Sequence, residues 1–244
     1  MRNIKLLLEY DGSGYYGWQV QARLPTIQGM VEQALSTITQ VPVRLIGAGR
    51  TDAGTHAMNQ VANFFTASSL PVESLASGVN ALLPADIVVK EMDEVDLSFH
   101  ARFSAKGKVY LYRILNCKLR SAFELRRAWH VAEQLNPDLI TRAAGIFLGR
   151  HDFSSFRTAG GAQSSPIKEM RRLDISRSGD VINLELEANG FLRQMARNLV
   201  ATLAEVGKGR LDEKGVQQIL QLKDRRAAPA PAPAWGLYLK QVLY

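Results

Sequence analysis

The stretch VRLIGAGRTDAGTHAMNQVANFF, residues 43–65, sets two β-tolerant apolar runs on either side of a polar, glycine-bounded loop. Val43 to Ala48 and Val61 to Phe65 read as strands, and Gly49 to Gln60 as the loop that joins them. Upstream, Thr26 is a candidate N-cap for a helix with Ile27, Met30, Val31, Ala34, Leu35 and Ile38 at helical spacing. Before it, Ile4 to Tyr10 reads as a strand ended by Asp11-Gly12-Ser13-Gly14. Downstream, Val72, Leu75, Ala76, Val79, Leu82 and Leu83 mark a second helix stopped by Pro84, and Ile87 to Glu94 is a further strand. The order β-α-β-β-α-β is that of the split βαβ, ferredoxin-like arrangement.

The second half has a similar rhythm. Lys106 to Leu115 reads as a strand with Tyr110 and Tyr112 on one face, since side chains two apart share a face of a strand. Asn136-Pro137-Asp138 opens a helix. Leu173 to Ser176 and Val181 to Ala188 are strands around a turn, followed by helices over about Phe191 to Val206 and Asp212 to Leu222. Ala227 to Ala234 is a Pro/Ala stretch expected to be extended, and Leu237 to Leu243 a closing strand. Arg157 to Ser165 is a loop rich in small residues, with glycines at 160 and 161. The expected fold class is α+β: two ferredoxin-like halves, 1–104 and 105–244, with largely antiparallel sheet, helices on one face and a cleft between them.

Thirty lysines and arginines against 23 acidic residues leave a net charge of +7, which suits a polyanionic partner. Candidate phosphate contacts cluster at Arg120/Arg126/Arg127, Lys168/Arg171/Arg172 and Lys223/Arg225/Arg226. The single cysteine, Cys117, cannot form an internal disulfide, and no Cys/His zinc spacing occurs. No apolar run approaches the ~20 residues that cross a membrane, and Met1 to Tyr10 lacks the apolar core of a signal peptide. A cytoplasmic protein without membrane attachment is expected.

The loop carries Arg50, Thr51, Asp52 and His56. An aspartate in such a turn has an ordinary use, bonding a nearby backbone N–H. It has a second use if a cation keeps it ionised for nucleophilic chemistry, and Arg50, two residues away, is a candidate for that cation. His56, His100, His130 and His151 have no metal-ligand spacing and read as structural or RNA-facing.

Gly49-Arg50-Thr51-Asp52-Ala53-Gly54-Thr55-His56-Ala57 resembles the signature of the TruA family of pseudouridine synthases. The resemblance extends through Glu9-Tyr10-Asp11-Gly12 with Tyr15-Tyr16-Gly17-Trp18-Gln19, and through Phe99-His100-Ala101-Arg102-Phe103-Ser104-Ala105. It continues through His151-Asp152-Phe153 with Phe156-Arg157, Met195-Ala196-Arg197-Asn198 and Gly236-Leu237-Tyr238-Leu239, so it runs nearly end to end. Two positions depart from the pattern: Thr55 stands where valine is usual, and Asn59 where glycine is common.

The resemblance implies isomerisation of uridine to pseudouridine in the anticodon stem-loop of tRNA, at positions 38, 39 and 40, without metal or organic cofactor. It implies Asp52 as the nucleophile, acting at C1′ of the ribose or C6 of the base or through a glycal. It implies Arg50 as the group that holds the target nucleotide out of the stack, Tyr110 as the tyrosine that stacks on the uracil, and Arg197 as the partner of the catalytic carboxylate. It also implies a homodimer. Tyr112 is expected to be an ordinary core aromatic.

Overall fold

A computed structural model describes residues 1–160 and 164–244, in which the chain divides into two compact units. One comprises Met1–Lys106 with Tyr238–Tyr244, the other Gly107–Leu237. In chain order the first unit holds β1 (Arg2–Tyr10), α1 (Ile27–Thr39), β2 (Ile46–Gly47), β3 (His56–Thr66), α2 (Val72–Leu82) and β4 (Ile87–Val95). The second holds β5 (Gly107–Leu115), β6 (Trp129–His130), α3 (Pro137–Ala144), β7 (Gly149–Asp152), β8 (Ile167–Ser178), β9 (Val181–Ala188), α4 (Met195–Gly207) and α5 (Glu213–Leu222). The last strand, β10 (Leu237–Leu243), sets Tyr238 and Leu239 in parallel register with His56 and Ala57 of β3. A cut after residue 104 assigns this strand to the second half; the structure clusters nearly all of it with the first unit.

The mixed class expected from the sequence holds, with five α-helices among the described residues and mostly antiparallel strand pairing. In the first unit β1 lies between β4 and β3, antiparallel to both, and β2 adds to the far side of β3. Ile4, Leu6, Leu8 and Tyr10 alternate inward along β1, the period of a half-buried strand. Thr26 caps α1 by accepting from Gly29 N at 3.3 Å, and Ile27, Val31 and Leu35 bury the helix. In the second unit the order is β5-β9-β8-β7, every pair antiparallel. Tyr112, Ile114, Leu184 and Leu186 of the sheet and Leu199, Val200 and Leu203 of α4 are all fully buried. Asn136 caps α3 and Asp212 caps α5, each through its carbonyl or carboxylate oxygen. Of the small-residue loop 157–165, positions 161–163 lie outside the described residues.

β3 begins at His56, five residues before the expected strand start at Val61, which shortens the loop. Hydropathy hides this start because the strand buries polar side chains. Gln60 and Asn63 are completely buried and His56 nearly so. Each brings its own partners: Gln60 Nε2 donates to Gly49 O at 2.9 Å, and Asn63 Nδ2 to Asn3 Oδ1 at 2.8 Å. α4 starts at Met195 rather than near Phe191, because Gln194 takes a left-handed φ of 58° that a helix interior does not accommodate.

The Asn3–Asn63 pair ties β1 and β3 to the segment that follows β4. Asn3 Nδ2 donates to Asp96 O and Phe99 O, both at 2.9 Å, while Asn63 Oδ1 accepts from Ala101 N at 2.9 Å. Tyr244 Oη donates to Ala101 O at 2.7 Å. Replacing Asn63 by alanine strands the Asn3 carbonyl and the Ala101 amide in the interior. Chemical denaturation of Asn63→Ala is expected to show a loss of roughly 2–4 kcal/mol; a loss below about 0.5 kcal/mol would mean that this network does not hold the segment.

Candidate active site

The Asp52 loop is fixed by backbone pressed against backbone. Gly17 has φ +84°, and a Cβ there would fall 2.5 Å from Thr51 O and 3.0 Å from the Asp52 carbonyl carbon. A Cβ on Gly12 would overlap the Thr55 carbonyl outright. These glycines let the segment after β1 lie directly on the loop. Hydrogen bonds then lock the contact: Trp18 N donates to Thr51 O at 3.1 Å, Gly54 N to Tyr15 O at 3.3 Å, and Thr55 N to Asp52 O at 3.1 Å.

Side chains complete the cradle. Tyr10 Oη and Thr51 Oγ1 share a buried hydrogen bond of 2.8 Å, and burial pushes the Tyr10 phenol up to about 12. It therefore stays neutral through the physiological range. Beneath the loop, Nδ1 of buried His56 lies 3.1 Å from both Gly12 N and Asp11 Oδ1, and its ring stacks on Tyr238 at 4.6 Å. The partner the structure gives Arg50 is Gln19, whose Oε1 accepts from Arg50 Nε at 2.9 Å. Gln19 is itself held by Gln28 at 2.8 Å. Neither glutamine stands out in the sequence, although Gln19 closes one of the recognisable motifs.

The other two expected site residues lie in the second unit. Tyr110 of β5 is buried, with its ring edge-on to Phe191 at 4.8 Å. Arg197 on the first turn of α4 is half-buried, and its Nε donates to Ala232 O at 2.6 Å. Asp52 and Arg50 thus share one loop of the first unit, while Tyr110 and Arg197 share the second unit.

His100, His130 and His151 serve the backbone. His151 contacts Leu148 O at 2.7 Å, His130 contacts Cys117 O at 2.9 Å, and His100 Nδ1 accepts from Arg102 N and Phe103 N. Among the described residues no group of three or more His, Cys, Asp or Glu side chains is arranged to hold a metal ion. No helix among them is long and apolar enough to cross a membrane. Several expected phosphate contacts already face local acids: Arg172 pairs with Glu185 at 2.6 Å, Arg226 with Asp224 at 2.7 Å and Lys223 with Asp152 at 3.5 Å. Arg225 instead turns onto backbone carbonyls of the Pro/Ala stretch.

A family model described as tRNA pseudouridine synthase matches residues 7–104 and 143–244. The chain belongs to the tRNA pseudouridine synthase family. Members of that family are isomerases. Proteins named tRNA pseudouridine synthase A align over the full length of both chains. Those of Acetivibrio thermocellus and Thermoanaerobacter sp. strain X514 are 44% and 45% identical, and that of Geotalea daltonii is 41% identical.

Within this tRNA pseudouridine synthase, the two departures from the family pattern sit in the same strand region. Asn59 uses its amide, donating to Lys240 O at 2.8 Å and so tying β3 to β10. Thr55 is 1% exposed, and its hydroxyl has no hydrogen-bond partner among the described residues.

Gly17→Ala tests whether loop placement governs turnover. The left-handed φ costs an alanine about 1–2 kcal/mol, and the Cβ overlap displaces the Thr51–Asp52 peptide. The folded variant is expected to form pseudouridine at least roughly 100-fold more slowly. Wild-type turnover in folded Gly17→Ala would contradict the assignment of this loop to the site.

Proposed function

We propose that this enzyme isomerises uridine to pseudouridine in the anticodon stem-loop of tRNA, at positions 38, 39 and 40. The supporting observation is full-length similarity to proteins named tRNA pseudouridine synthase A, joined to an aspartate on a loop held by backbone contact. In this reading the chain works in the cytoplasm as a homodimer, with tRNA as its partner and with no membrane, metal or organic cofactor. Its two halves are taken as elaborations of the split βαβ plan with helices on one face; the strand order of the first unit supports this.

The reaction exchanges one bond for another. The N1–C1′ bond breaks, the uracil turns, and a C5–C1′ bond forms; a proton leaves C5, N1 gains one, and the formula is unchanged. Asp52 is the nucleophile that carries the sugar or base between these two bonds. Arg50 takes the space of the extruded nucleotide, whose unstacking costs a few kcal/mol. Its Nε bond to Gln19 preorganises the guanidinium for that task. Tyr110 stacks on the uracil, and its edge-on contact with Phe191 fixes the ring plane. Arg197 pairs with the carboxylate. Bound tRNA is drawn by the net charge of +7.

The test is a comparison of wild type with Asp52→Asn, which keeps the side-chain shape and removes the carboxylate. Asp52→Asn is expected to bind tRNA with little change in Kd and to form no pseudouridine above background in single-turnover assays. Equal product from both proteins would sink the proposal.

A further inference from the structure

The run Ala228-Pro229-Ala230-Pro231-Ala232-Pro233 alternates alanine with proline. Each proline lacks an N–H and pushes the alanine before it into extended backbone. Such a strap neither coils into a helix nor donates along a ladder, so donors for its carbonyls come from elsewhere. Four of those carbonyls have side-chain donors. Arg225 Nη1 reaches Ala228 O at 2.8 Å and Nη2 reaches Pro229 O at 2.7 Å. Arg197 Nε reaches Ala232 O at 2.6 Å, and Tyr112 Oη reaches Pro233 O at 2.8 Å.

Ala232 is bound to Arg197 twice, since its own amide donates to Arg197 O at 3.2 Å. Arg225 also touches α4, because Nη2 lies 2.9 Å from Oδ1 of Asn198, the residue after Arg197. Asn198 is completely buried and donates to Phe156 O at 2.7 Å. On the other side, the ring of Tyr112 fills the space at Gly236, where a Cβ would fall 2.6 Å from Tyr112 Cζ. The strap is thus pinned at both ends by buried or half-buried groups, with the Arg197 contact between the pins. Bonding Nε fixes the guanidinium plane, and the plane sets where both Nη nitrogens point. The bond thereby removes in advance part of the rotamer freedom of a free arginine side chain.

We propose that Tyr112 and Arg225 are positioning residues for Arg197, acting through the Ala228–Pro233 strap. The proposal rests on the reading of Arg197 as the partner of the catalytic carboxylate. Neither positioning residue touches substrate. Tyr112 is then more than the core aromatic expected from the sequence.

The test is single-turnover pseudouridine formation on a transcribed tRNA by wild type, Tyr112→Phe, Arg197→Lys and the double variant, with tRNA Kd measured for each. Tyr112→Phe is expected to lower the rate roughly 10- to 100-fold with Kd unchanged, and the double variant to be no slower than Arg197→Lys. A wild-type rate in Tyr112→Phe, or the same fold loss in both backgrounds, overturns the proposal. A wild-type rate in Arg197→Lys overturns instead the reading of Arg197 on which it rests. Should Arg197→Lys prove too slow to rank the double variant, hydrogen exchange at the Ala232 amide decides. Faster exchange there in Tyr112→Phe, with core amides of α4 unchanged, supports the strap; unchanged exchange at Ala232 overturns it.

Discussion

The close approach of the Gly12–Trp18 segment to the Thr51–Thr55 loop is the constraint on which the candidate site depends. Two backbones come within contact distance only where no Cβ intervenes, and Gly12 and Gly17 meet that requirement. The consequence is a short loop with little conformational choice of its own. Hydrogen bonds to Thr51 O and from Gly54 N then register it against the chain after β1. The Asp52 backbone inherits a defined place from these neighbours.

The second unit reaches rigidity by another route. Its Pro/Ala strap is stiff by covalent constraint but poor in donors, so side chains from β5, α4 and the turn after α5 supply them. There, backbone carbonyls act as the anchors for side-chain donors. A carbonyl fixed by its own chain places a side-chain donor more sharply than a second flexible side chain would. In the first unit Gln19, held by Gln28, differs: there a side chain anchors Arg50 through a relay.

Elements with a local signal were legible in the sequence. Thr26, Asn136 and Asp212 marked helix starts because their side chains cap in place, and β9 was bounded by a turn at Gly179. β3 was misjudged at its start because polar residues break the apolar pattern, while their amide nitrogens donate to partners outside the strand. β6 and β7 are too short for periodicity to register. The terminal strand was visible as a strand, but its pairing with β3 is a long-range fact that no local pattern encodes. For the site, the loop bearing Asp52 was evident. The hydrogen bond that Arg50 makes to Gln19, on the segment after β1, had no local signal. Tyr112 is the buried core aromatic expected, and its hydrogen bond to Pro233 O, more than a hundred residues away, is a contact no local pattern encodes.

The central claim is that this fold converts uridine in the anticodon arm of tRNA. It is tested most directly by mapping pseudouridine, nucleotide by nucleotide, in unmodified tRNAs incubated with the purified chain. The account predicts new pseudouridine confined to positions 38, 39 and 40. Product confined to another arm of the tRNA, or none at any uridine, would contradict it.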